Sequence, residues 1–86
     1  MLTAKVVDNI WSTRKTELLN GYKLMLVEVI GGCDDGQRQV AIDTVGAGVG
    51  ERVLVALGSS ARRMVGDDSI PTDAAIVGII DEDCEF

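Results

Sequence analysis

Residues 37–57 read QRQVAIDTVGAGVGERVLVAL: an apolar stretch, a glycine-rich turn and a second apolar stretch. Short runs of Val, Ala, Leu and Ile bounded by turn residues read as strands. The pattern predicts strands over Gln37–Asp43 and Arg52–Leu57, joined by a loop carrying Gly46, Gly48 and Gly50. A phosphate-binding loop would open a helix, or be followed by a Lys-Ser/Thr pair. Here RVLVAL follows, which is a strand. The loop therefore reads as a tight inter-strand turn, or as a close backbone approach at a subunit contact.

Working outward, KLMLVEVI (Lys23–Ile30) is a further strand, and GGCDDG (Gly31–Gly36) is the hairpin turn after it. LTAKVVDNIW (Leu2–Trp11) is the first strand. The polar stretch Ser12–Tyr22, with Arg14, Lys15 and Glu17, ends at Asn20-Gly21, a turn signal. On the other side, SSARRMV (Ser59–Val65) can form one or two helical turns. Ser59 or Ser60 is its expected N-cap and Gly66 its end. A turn with Asp67, Asp68 and Pro71 leads into the last strand, AAIVGII (Ala74–Ile80). Five short strands predict an all-β domain, a sandwich or a small closed barrel. Closure removes exposed strand edges. One short helix before the last strand fits a five-stranded OB-like barrel. Residues 1–86 read as a single domain with an acidic tail over 81–86.

The strands are apolar on both faces. Leu24, Leu26 and Ile30 share one face with Glu28, while Met25, Val27 and Val29 share the other. Val53, Val55 and Leu57 oppose Leu54 and Ala56; Ala75, Val77 and Ile79 oppose Ile76 and Ile80. A small barrel has one interior, so the second faces form an apolar patch too large for a soluble monomer. A chain of 86 residues also has a marginal core of its own. Covering several hundred Å² more per chain contributes on the order of 10 kcal/mol before association costs. The chain is thus expected to be an obligate homo-oligomer, whose size the strand pattern leaves open.

Composition narrows the chemistry. The net charge is −6, which repels phosphate backbones. An OB-like barrel that binds single strands needs a basic groove and aromatic platforms. This chain has one Trp, one Tyr and one Phe, and Trp11 at a strand end reads as a core or interface anchor. There is no histidine, the commonest general base and metal ligand. Cys33 and Cys84 stand far apart without histidine and make no zinc site. Asp34 and Asp35 do not have EF-hand spacing. Ser59 and Ser60 have no evident base beside them. No catalytic, cofactor or metal site is expected. The chain opens directly on a strand pattern rather than a secretory leader, so free thiols in the cytosol are expected. No apolar run approaches the roughly 18–20 residues that span a bilayer. The acidic residues Asp81, Glu82, Asp83 and Glu85 read as a solvated end rather than a recruitment tag.

The segments IWSTRK, KLMLVEV, AIDTVGAGVGERVLV, GSSAR and DAAIVGIID, in this order over nearly the whole chain, resemble the vertex proteins of bacterial microcompartments. That family includes the carboxysome vertex protein and its ethanolamine- and propanediol-utilisation counterparts. The resemblance implies an OB-like barrel assembled as a cyclic homopentamer, a structural protein without enzymatic activity. It also implies a place at the corners of a cytoplasmic shell, beside hexameric shell proteins. Thr44, Gly46, Gly48, Gly50 and Glu51 match the family's glycine-rich loop, expected at a subunit contact or the central opening. Gly58, Ser59, Ser60, Ala61 and Arg62 match its serine–arginine motif, expected to touch a neighbouring subunit or hexamer. Arg62 is the expected working arginine, since its planar fork suits carbonyls and carboxylates. Arg14 and Lys15 match the loop after the first strand, with no role assigned. The alternative is an OB-like module for single-stranded nucleic acid or a small ligand.

Overall fold

The computed structural model of the chain describes residues 1–12, 15–66 and 69–86. The readings placed on Arg14, Asp67 and Asp68 lie outside the described residues. Alternating apolar runs form five strands: β1 (Leu2–Ile10), β2 (Lys23–Val29), β3 (Arg38–Asp43), β4 (Arg52–Leu57) and β5 (Ala74–Ile79). They close into a barrel in the order β1-β2-β3-β5-β4. The expected all-β barrel is therefore the fold. Its one α-helix, α1 (Gly58–Val65), stands before the last strand as expected.

All neighbouring strands run antiparallel except β3 and β5, where Ile42 lies opposite Ala75 and Asp43 opposite Ile76. A parallel pair needs a long crossover. Here β4 and α1 make up that crossover, and β4 closes the barrel by pairing with both β5 and β1.

β4 has the bounds read from sequence, and the other strands are slightly shorter than expected. Ile30 and Ile80 fall just beyond β2 and β5, although their amides still donate to the carbonyls of Thr3 and Arg52. β1 stops at Ile10, whose partner Leu24 is the last in the β1–β2 register. Trp11 is 89% exposed, which rules out the core half of its expected role. The polar stretch between β1 and β2 contains a 3-10 turn at Glu17–Leu19 that sequence reading did not foresee.

The barrel is filled by small or slender side chains: Ala4, Val6, Met25, Val27, Ala41, Val53, Val55, Ala74 and Ile76, with Ala47 entering from the glycine loop. A five-stranded barrel has room for little else. Met25 and Val27 point inward, while Leu24 and Leu26 remain half-buried on the outside, so β2 is apolar on both faces as read. On the other side of the barrel, α1 lies against β4 and β5. There Ala56, Ala61, Ala75 and Ile42 are buried without belonging to the inner cluster. The helix thus covers part of the second apolar surface within the chain. Val40, Val49, Leu57, Met64 and Ile79 stay exposed.

Candidate functional site

Two of the sequence-matched segments occupy distinct places on the barrel, and the first is the loop between β3 and β4. Asp43, at the end of β3, turns its carboxylate into this loop. Its Oδ1 accepts from the amides of Val45 (3.1 Å) and Gly46 (3.2 Å), and its Oδ2 from the amide of Ala47 (3.0 Å). Glu51 Oε1 accepts from the Gly48 amide at 2.6 Å. Four consecutive amides thus end on carboxylates, and the loop offers no cradle for an anion. Thr44 is tied to β5: its Oγ1 donates to the Ile76 carbonyl at 2.6 Å. The Gly50 amide donates to the Val6 carbonyl, and the Val6 amide donates to Glu51, both at 2.9 Å.

Geometry explains the glycines. Gly46 and Gly50 sit at φ 81° and 91°, the left-handed region that disfavours side chains. A Cβ on Gly48 would stand 3.2 Å from Glu51 Oε1. The structure therefore brings Thr44, Gly46, Gly48, Gly50 and Glu51 together in one stitched loop. Val45 and Val49 project from it into solvent. Asp43 was missed by sequence reasoning, although an aspartate just before a glycine-rich turn is a known turn former.

The second segment opens α1. Gly58, at φ 61°, turns the chain directly from β4 into the helix, and its amide donates to the Asp73 carbonyl at 2.8 Å. The N-cap is accordingly Leu57, with no side-chain cap bond. The expected cap at Ser59 or Ser60 is corrected: the helix starts one residue earlier, so both serines lie inside its first turn and are exposed. Gly66 ends the helix as expected, at φ 90° in a left-handed cap. Ala61 is fully buried under the helix. Arg62 is half-buried, and its Nη1 donates to the Thr72 carbonyl at 3.3 Å, bracing the segment before β5.

The surface between these segments carries two further features. A shallow groove of about 200 Å³ on the β2–β3 face is lined by Leu19, Leu24, Val40, Ile42 and Pro71. Across β4, β1, β2 and β3, Arg52 pairs with Lys5, Lys5 with Glu28, and Glu28 with Arg38. Arg38 Nε donates to Glu28 Oε1 at 3.2 Å. This row is locally basic, but Trp11 lies six positions beyond Lys5, about 20 Å along an extended strand at ~3.3 Å per residue. The ring that does approach the row, Phe86, lies against the Arg52 guanidinium at 4.8 Å, whereas binding successive bases requires free aromatic faces along a groove. Cys33 and Cys84 are both free and exposed. Among the described residues, no group of three or more acidic or cysteine side chains is placed to hold a metal ion.

Comparison with known proteins bears on the whole chain. A family model described as ethanolamine utilisation protein EutN/carboxysome matches residues 1–81. The bacterial microcompartment shell vertex protein GrpN of Rhodospirillum rubrum (strain F11) is 48% identical over 83 residues, covering 94% of this chain and 93% of its own. A solved structure described as the GrpN pentameric microcompartment shell protein from Rhodospirillum rubrum matches at 46% identity, with a TM-score of 0.81 and 94% of each chain covered. A solved ethanolamine utilization protein, EutN, matches at 42% identity with a TM-score of 0.88, over 99% of this chain and 91% of that one.

Proposed function

The chain belongs to the ethanolamine utilisation protein EutN/carboxysome family, and on that premise we propose how its surfaces serve a microcompartment shell. It is a structural shell vertex protein of the pentameric type, as its relatives are named. The observation that carries this is the family match over residues 1–81 together with a barrel whose outer faces stay apolar after α1 has packed.

A cyclic ring is built from heterologous contacts, in which two different patches of each subunit meet. The β2–β3 face, with Leu24, Leu26 and Val40, is one such patch. The rim formed by Leu57 and Ile79 on β4 and β5 is the other. The glycine loop, stiffened by Asp43 and Glu51, sets Val45 and Val49 at a subunit contact or at the central opening. The start of α1, with Ser59, Ser60 and Arg62, faces a neighbouring subunit or a hexameric shell protein. The protein performs no catalysis, binds no cofactor and does not engage nucleic acid, and the shell it closes lies in the cytoplasm. Asp43 and Glu51 cap the glycine loop, and Arg38 and Arg62 brace their own chain.

Co-expression of hexameric shell proteins with and without this chain tests the reading. Closed polyhedral particles are expected with it, and elongated or open ones without it. Closed particles in its absence, with no related vertex protein present, would contradict the assignment.

A further inference from the structure

Beyond β5 the chain turns back along the barrel. The Ile80 amide donates to the Arg52 carbonyl at 2.8 Å, extending the β4–β5 ladder. From there the Arg52 side chain takes over. Its Nη2 donates to the carbonyls of Asp81 (3.0 Å), Glu82 (3.3 Å) and Cys84 (2.7 Å). Its Cζ lies 4.8 Å from the centre of the Phe86 ring. One guanidinium thus touches residues 81, 82, 84 and 86. The segment also bends on itself: the Cys84 amide donates to the Asp81 carbonyl at 3.0 Å. Glu82 and Ile80 close one side of a depression whose other wall is Val49, Gly50 and Arg52.

We propose that Arg52 is a latch, and that the wall from Val49 to Arg52 is a receptor site for residues 81–86 of the same chain. Little else could hold this segment. It buries almost no apolar surface, since Phe86 is 65% exposed and the other side chains are polar and exposed or, at Cys84, an exposed thiol. The latch reads main-chain carbonyls, which every residue supplies, and one aromatic ring, which sets the register. All three bonds leave the one terminal nitrogen Nη2, which shares its two N–H groups among the carbonyls, while the flat guanidinium lies against the ring. The acidic side chains of Asp81, Glu82, Asp83 and Glu85 remain outward, so the latched state presents them at a fixed place beside the glycine loop. Release of one side chain frees the whole segment and opens the depression. Arg52 lies inside the family match and residues 82–86 lie beyond it.

Cys84 offers the probe, because Arg52 binds its carbonyl and leaves its side chain free. A nitroxide is attached to Cys84 in the full chain carrying Cys33→Ser, and its electron paramagnetic resonance spectrum is recorded. The latch predicts a broad spectrum of a held segment. Arg52→Met should sharpen it, with the rotational correlation time falling about threefold or more, as for a loop moving freely on the nanosecond scale. Phe86→Ala, which leaves the barrel untouched, should sharpen it to a smaller extent. A sharp spectrum in the protein that keeps Arg52 overturns the proposal, as does an unchanged spectrum in Arg52→Met. Should Arg52→Met fail to fold, Phe86→Ala decides alone: increased mobility supports the latch and unchanged mobility overturns it.

Discussion

The Glu51 carboxylate accepts a hydrogen bond from the Gly48 amide at 2.6 Å, and the Glu51 amide donates back to the Gly48 carbonyl at 3.2 Å. This reciprocal pair closes the second half of the glycine loop, as Asp43 closes the first. The loop is therefore rigid by construction: both ends are capped by carboxylates, and Ala47 in its middle is driven into the core. A loop so tied can hold Val45 and Val49 in a fixed place for a neighbour.

Removing the first cap should be costly. Asp43→Ala leaves three amides without their acceptor, and water can reach only the exposed ones. The loss is expected to be about 2 kcal/mol, since bonds to a charged acceptor contribute more than neutral ones. Urea unfolding at one fixed protein concentration checks this, and a shift below a few tenths would show that the cap is idle.

Gly50→Ala should destabilise by about 1 kcal/mol, because φ 91° places a Cβ in the left-handed region. Ala47→Gly should also destabilise, by loss of its buried methyl and by added chain freedom. Val49→Ala, 56% exposed in the single chain, should cost the barrel itself no more than about 0.5 kcal/mol, so a larger loss would report its contact with a neighbouring subunit. Thermal unfolding of the three variants side by side tests the ordering.

Much of this was legible in the sequence, for reasons particular residues make plain. β4 is legible because Arg52 and Gly58 bracket an unbroken apolar run, and the end of α1 because Gly66 is the first glycine after Ser59. The serine cap was misread because strand and helix join at Gly58 with no loop between them, so no cap position was free. Asp43 was read only as the end of a strand, since its three bonds depend on how the loop curls back. Arg52 looked like a strand boundary; its role over residues 81–86 needs contacts across 29 to 32 positions, which local patterning does not encode.

The outer faces make a distinct prediction from the core. Met25→Ala should cost about 3 kcal/mol, because the side chain is fully buried. Val40→Lys should leave the barrel folded, since Val40 is 44% exposed, but should disperse the ring. Light scattering after size exclusion separates the two effects. A Val40→Lys protein that keeps its assembled mass at sub-micromolar concentration would remove the β2–β3 face from the subunit contact.

Arg62→Ala removes one bond to the Thr72 carbonyl and should cost the barrel only about 1 kcal/mol. Its larger effect is expected on joining to other shell proteins, seen as a lower yield of closed particles on co-expression. An unchanged yield would confine Arg62 to bracing its own chain.

The central claim is that the leftover apolar faces are covered by the two neighbouring copies of the chain in a ring of five. Native mass spectrometry of the purified protein at micromolar concentration tests it most directly. The account predicts a species of about 46 kDa, five copies of a 9.1 kDa chain. A stable monomer at that concentration, or a ring of a different size, would contradict it.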